Sequence, residues 1–123
     1  MWDGFNKRKF PRLNLRCELI LRNRAEDRVL RTQTVNVGAG GFRTILERAL
    51  ERFSHIPLRL ELDPGLPWLE CQGRVVWVVA SRDGVTHKER FDTGIEFMAL
   101  QPAEQDLIRR YVDARIETVN QRS

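Results

Sequence analysis

The stretch Arg28-Val29-Leu30-Arg31-Thr32-Gln33-Thr34-Val35-Asn36-Val37-Gly38-Ala39-Gly40-Gly41-Phe42-Arg43-Thr44-Ile45-Leu46 decides the fold. Its first ten residues are rich in β-branched side chains (Val29, Thr32, Thr34, Val35 and Val37), which suit a pleated strand. Gly38, Gly40 and Gly41 then interrupt the run. Three glycines within four residues point to a backbone that takes positive φ or passes close to a neighbour. Strand character resumes from Phe42 to Leu46.

The same period extends outward in both directions. Upstream, Leu15, Cys17, Leu19 and Leu21 alternate with Arg16, Glu18 and Ile20, the mark of a half-buried strand over about Leu13 to Arg22. The polar run 23–27 then reads as a hairpin connection. Downstream, Ile45, Leu46, Ala49, Leu50 and Phe53 have helical spacing, but an irregular connection over 47–53 is the preferred reading. Pro57 opens a further alternating run through Leu58, Leu60 and Leu62, closed by the turn Asp63-Pro64-Gly65. Leu69 to Val79 is a long strand with apolar residues on both faces, so both faces should be covered. A turn at 81–84 and a polar loop at 85–90 precede the last strand, Phe91 to Phe97.

The C-terminus changes character. Pro102 suits a first helical turn, and Glu104 and Asp106 lie where the helix dipole favours acids. Leu107, Ile108, Tyr111, Val112, Ile116 and Val119 form one apolar stripe. An amphipathic helix over about 101–119 must therefore lie on the rest. Six strands at hairpin spacing followed by one helix predict a mainly β domain, a small closed or nearly closed antiparallel barrel capped by that helix.

Composition agrees with one soluble domain: 123 residues, 41% hydrophobic and 31% charged. No apolar run approaches the ~18 residues of a membrane span, and the N-terminus lacks a secretory signal pattern. The expectation is a cytoplasmic protein that does not insert in a membrane. Cys17 and Cys71 are isolated and read as buried, reduced core residues, while His55 and His87 supply no zinc spacing. No Ser-His-Asp signature, Walker loop or His-Glu-x-x-His run is present, and the glycine cluster leads into a strand rather than a helix. An enzyme is not expected.

Two features could carry binding chemistry. The formal net charge is only +4, but Lys7, Arg8, Lys9, Arg12, Arg16, Arg22 and Arg24 crowd the first 24 residues. Within them, Arg8 and Arg12 stand four apart on a segment that Pro11 keeps extended, read as a flexible lead-in over 1–12. Two guanidinium forks there can grip phosphate oxygens and stack on a base, although a solvated tail would look the same. The second feature is Asn36 through Gly41: Asn36 can meet a base edge or brace the turn, and the glycines can offer N–H groups to an anion.

Together these features resemble the PilZ family, whose binding signature is R-x-x-x-R before the first strand and [D/N]-x-S-x-x-G after the second. Arg8 and Arg12 match the first part, Asn36 and Gly41 the second. Gly73-Arg74-Val75-Val76-Trp77 resembles that family's late strand and Thr93-Gly94-Ile95-Glu96-Phe97 its closing strand, so the likeness runs from Arg8 to about Val119. The resemblance implies a six-stranded antiparallel barrel over 13–123 that binds cyclic di-GMP and signals to a protein effector, with no cofactor. It implies that Arg8 and Arg12 contact phosphates and stack on guanine, helped by Lys7 and Lys9. Asn36 would read a guanine edge, Gly41 would allow the turn, and Trp77 would pack on a base or simply cover the barrel. Gly38 departs from the pattern by replacing the family serine. One lost hydrogen bond, about 0.5–1.5 kcal/mol and up to ~3 with a charged partner, weakens such a site without abolishing it. It also leaves room for a ligand-independent adaptor of the same fold. A nucleic-acid-binding barrel ranks last.

Overall fold

The computed structural model describes the backbone of residues 12–122 and the side chains of residues 12–116. Seven strands precede one helix: β1 (Arg12–Leu13), β2 (Glu18–Asn23), β3 (Arg28–Gly38), β4 (Gly41–Leu46), β5 (His55–Glu61), β6 (Leu69–Arg82), β7 (Glu89–Met98) and α1 (Pro102–Arg122). Six of them close a barrel in the order β3-β2-β5-β6-β7-β4, with β4 returning to β3 and every pairing antiparallel. The seventh, β1, adds to the free end of β3 through Arg12 opposite Gly38 and Leu13 opposite Val37.

The inward row that seals the barrel follows from register. Val37, Phe42, Ile95 and Val75 face one another on β3, β4, β7 and β6, and none has measurable exposure. Burying each contributes about 1.5–3 kcal/mol. The Phe42 and Phe97 rings meet at 5.6 Å between centroids and 50° between planes, a tilted arrangement that aromatic quadrupoles favour. Leu19, Leu21, Leu58 and Leu60 fill the opposite wall.

The helix begins where its sequence signals lie. The Gln101 N–H donates to Glu104 Oε1 at 3.0 Å, and the Gln101 carbonyl accepts from the Gln105 N–H at 3.0 Å, with Pro102 in the first turn. Ile108 and Val112 are buried in the common core, and Tyr111 donates its hydroxyl to Asp63 Oδ1 at 3.1 Å. Asp63 also shapes its own turn, accepting from the Gly65 N–H at 3.0 Å. Burial, then this hydrogen bond, raises the Tyr111 pKa above its ordinary value. Among the described residues no helix is long and apolar enough to cross a membrane.

Several expectations need correction. The first strand is not continuous from Leu13 to Arg22; residues 14–17 leave the ladder. Thr34 is the cause. Its hydroxyl donates to the Leu15 carbonyl at 2.6 Å and accepts from the Cys17 N–H at 2.8 Å, while its own N–H donates to the Cys17 carbonyl at 2.9 Å. The side chain thus takes rungs that a regular ladder would give to backbone. Arg12, read as part of a flexible lead-in, is a strand residue. Strand β6 runs three residues further than expected and β7 starts two earlier, because the turn between them is pulled tight by Asp83, whose carboxylate accepts from the Val85 and Thr86 N–H groups. Those bonds hold its pKa below the usual range. The outer face of β6 is not covered throughout: Val79 is 56% exposed. The helix extends to Arg122 rather than about 119. Finally, Cys17 is buried but Cys71 is only partly so; both are free.

Thr34→Val keeps the shape and removes the hydroxyl, leaving the Cys17 N–H and the Leu15 carbonyl unsatisfied. Urea unfolding is expected to show a loss of about 1–3 kcal/mol, whereas a change within error would mean that the junction is not held by this side chain. Desolvation pushes the Cys71 thiol up to about 11 from an ordinary 9.0. Near pH 8 its thiolate fraction is therefore roughly a hundredfold below that of an ordinary thiol. Because the raised pKa belongs to the folded state, the stability it carries is full below pH 9 and is lost as pH rises toward 11. Iodoacetamide labelling of a Cys17→Ala variant against pH checks this, with a midpoint near 11 expected.

Candidate functional site

The barrel's outer face near the β3–β4 turn gathers four of the eight residues singled out in the sequence. Two adjacent rungs define it. On one, Arg12, Gly38, Gly41, Glu96 and Arg74 lie opposite one another on β1, β3, β4, β7 and β6. On the next, Asn36, Arg43, Gly94 and Trp77 do the same on β3, β4, β7 and β6. Residues two apart on a strand share a face, so both rungs look outward while the Val37–Phe42–Ile95–Val75 row between them looks in. Arg12, Asn36, Gly38 and Gly41 are brought together. Trp77 lies on the same rung as Asn36, three strand spacings or about 14 Å along the sheet. Lys7, Arg8 and Lys9 lie outside the described residues.

The local geometry explains each placement. The Asn36 carbonyl oxygen accepts from Arg12 Nη1 at 3.4 Å, a long contact that uses the oxygen and not the amide nitrogen. A bulge between Thr34 and Asn36 and a second between Val75 and Trp77 reset the phase of β3 and β6 relative to their partners, which puts Asn36 and Trp77 on the outer face. The second bulge frees the Val76 carbonyl, and Arg52 Nε donates to it at 3.1 Å.

Gly41 and Gly94 act through close approach, not through unusual torsions. No described glycine has positive φ. A Cβ on Gly41 would sit 2.2 Å from the Ile95 carbonyl oxygen and 2.8 Å from the Glu96 Cα, so β4 could not reach β7 with any other residue there. A Cβ on Gly94 would meet Trp77 Nε1 at 2.2 Å and Cε2 at 2.3 Å, because the indole covers the glycine. Between them, the Gly40 carbonyl accepts from the Phe97 N–H at 3.0 Å and ties the turn down.

Charge on the patch is organised by residues the sequence reading did not single out. Arg43 forms a two-pronged pair with Asp92, Nε to Oδ1 at 2.7 Å and Nη2 to Oδ2 at 2.8 Å. That hydrogen bond raises the Arg43 pKa further, so the guanidinium stays charged. Arg74 pairs with Glu96 at 3.2 Å. Arg43 was visible only as a polar residue at alternating position in Phe42-Arg43-Thr44. Its link to Asp92, 49 residues away, needed the β4–β7 register.

Fold and patch together define a class: a small antiparallel barrel that carries a glycine-floored polar rim at its closing seam and packs a terminal helix elsewhere. The chain belongs to the PilZ domain family, whose domain matches residues 6–114. Solved structures share the fold. The inhibitor of motility MotI/DgrA of Bacillus subtilis is 16% identical with a TM-score of 0.74, over 91% of this chain and 52% of that one. The PilZ domain of YcgR from Escherichia coli, solved with c-di-GMP, is 12% identical with a TM-score of 0.71, over 94% of this chain and 96% of that one. The K. pneumonia MrkH–c-di-GMP complex gives 14% identity and a TM-score of 0.75, over 94% and 55%. The chain thus spans about half the length of MotI/DgrA and MrkH, and nearly all of the YcgR domain. No curated protein matches the sequence.

Gly94→Ala is expected to lift the Trp77 ring off the barrel at a cost of about 1–3 kcal/mol from overpacking. The Trp77 indole N–H resonance would move in an amide-detected NMR spectrum. An unmoved resonance with unchanged stability would show that the ring does not rest on Gly94.

Proposed function

We propose that this PilZ domain is a non-enzymatic, cytoplasmic receptor for cyclic di-GMP that reports the bound state to a protein effector. The observation that carries the reading is the rung geometry: Arg12, Asn36, Gly38 and Gly41 share one outer patch, and Arg8 stands four residues upstream of Arg12. Two relatives of the same fold, the YcgR PilZ domain and MrkH, were solved with c-di-GMP, which supports the ligand class.

In this reading Arg8 and Arg12 hold the phosphates with two-pronged, charge-assisted bonds and lay a guanidinium plane on a guanine. Lys7 and Lys9 add positive charge at the same edge. Asn36, its carbonyl oxygen already taken by Arg12, offers its amide nitrogen to the acceptor atoms O6 and N7 of a guanine edge. The side-chain-free Gly38 and Gly41 let a flat ligand come close, and Trp77 bounds the patch on its far side. Binding draws the segment ahead of β1 onto the rim, and the altered surface engages the effector.

Calorimetric titration with cyclic di-GMP is expected to give saturable binding; no heat at high micromolar ligand would overturn the proposal. Arg12→Ala and Arg8→Ala should each weaken binding roughly ten- to 150-fold, the range set by one charge-assisted hydrogen bond. Gly38→Ser should tighten it about two- to twelvefold by restoring a hydroxyl, since Gly38 does not occupy the left-handed region. Gly38 also favours a second reading, a ligand-independent interaction module of the same fold. Partner binding that survives joint replacement of Arg8 and Arg12 by alanine would select it.

A further inference from the structure

Strand β3 is paired on both edges only in its second half. Thr34 opposite Thr44 is the last rung of the β3–β4 ladder, and from Gln33 back to Arg28 the strand pairs with β2 alone. There β3 and β4 splay apart. The gap is a cleft of ≈ 430 Å³ walled by residues 28–32 on one side and by 45–48 with Arg90 on the other. A second hollow of ≈ 390 Å³ continues it past Arg16, residues 32–35 and Ile45.

The register fixes which backbone groups face this cleft. Within a strand the N–H and C=O of one residue share an edge, and the edge alternates from residue to residue. The Thr34 N–H bonds the Cys17 carbonyl on the β2 side, whereas the Gln33 carbonyl accepts from Thr44 Oγ1 at 2.8 Å on the β4 side. The N–H and C=O groups of Arg31 and Val29 therefore face the cleft, and no described residue's backbone meets them there.

The charged side chains around this open edge are mostly of one sign. Arg28, Arg31, Arg48 and Arg90 line the cleft against Glu47 alone. Arg90 reaches Glu47 only at 3.8 Å and Arg48 reaches Glu26 at 3.7 Å, while Arg28 and Arg31 have no ion-pair partner among the described residues. Val29 and Ile45, 58% and 43% exposed, stand on the two lips. An unpaired edge with apolar flanks is a template for an added strand, and the arginines select its charge.

We propose that this cleft is a docking site for an extended acidic segment of a partner protein, which adds as a strand to β3 at Val29 and Arg31. The proposal gives a surface and a chemistry to the effector reading above, yet uses none of the nucleotide patch, so either can fail alone. The test is fluorescence anisotropy of a labelled alternating glutamate–valine hexapeptide with the full chain. Saturable binding is expected, with Arg28→Glu and Arg31→Glu each weakening it roughly tenfold. Val29→Pro removes one cleft-facing N–H without touching the β2 ladder and should weaken binding several-fold, while Val29→Ala should not. A hexapeptide N-methylated at alternate amides checks the same ladder on the unaltered protein and should not bind. The proposal is overturned by absence of binding, by equal affinity for a lysine–valine peptide, or by unchanged affinity of the N-methylated peptide. A single-stranded oligonucleotide that binds as tightly as the peptide would also overturn it. So would a concentration-dependent dimer in sedimentation velocity that Val29→Pro abolishes, which would assign the edge to a second copy of the chain.

Discussion

Thr34 stands where β3 changes partners, and the rest of the barrel depends on that exchange. One edge of the strand must serve β2 and then β1, while the other begins to serve β4 at the same residue. A regular ladder cannot bend that sharply without orphaning backbone groups. The threonine hydroxyl satisfies one donor and one acceptor on the β1–β2 side, and the bulge at Val35 supplies the bend on the other. Closure of β4 on β3, the position of β1 and the outward aim of Asn36 all follow from this junction. So does the splay that opens the cleft below it.

The electrostatics of the polar patch follow a related economy. Asp92 and Glu96 would repel a phosphate if they stood alone. Each instead sits against an arginine on the neighbouring strand, Arg43 and Arg74. With side chains a quarter to two-fifths exposed, these pairs add at most about 1 kcal/mol each to stability. Their larger effect is to cancel the acids locally.

Much of the fold was legible because its signals are local. Period-2 alternation located the strands, glycine and Asp-Pro-Gly clusters located turns, and the Pro102–Glu104 pattern located the start of the helix. The irregular connection over 47–53 was also read correctly against a helical spacing. What sequence could not show depends on long-range register. The break at residues 14–17 arises from a threonine seventeen or more residues away. The ends of β6 and β7 are set by one carboxylate in their turn. In the patch, Arg12, Asn36, Gly38 and Gly41 could be picked out from type and spacing, but Arg43, Asp92, Arg74 and Glu96 could not, since an arginine–acid pair between strands has no local mark. Of the glycines flagged in the turn, Gly41 is explained by close approach, one of the two reasons left open.

The contact at Gly41 bears on how motif matches should be weighed. Since β4 cannot lie against β7 with any side chain at this position, the last glycine of the signature is required by the barrel itself. It would be kept whether or not the domain binds a ligand. Asn36 stands differently: it is only half-buried, and its described side-chain bond is a long 3.4 Å contact with Arg12. Within one short signature, then, the glycine is a weaker guide to binding than the polar residues, because the barrel alone demands it.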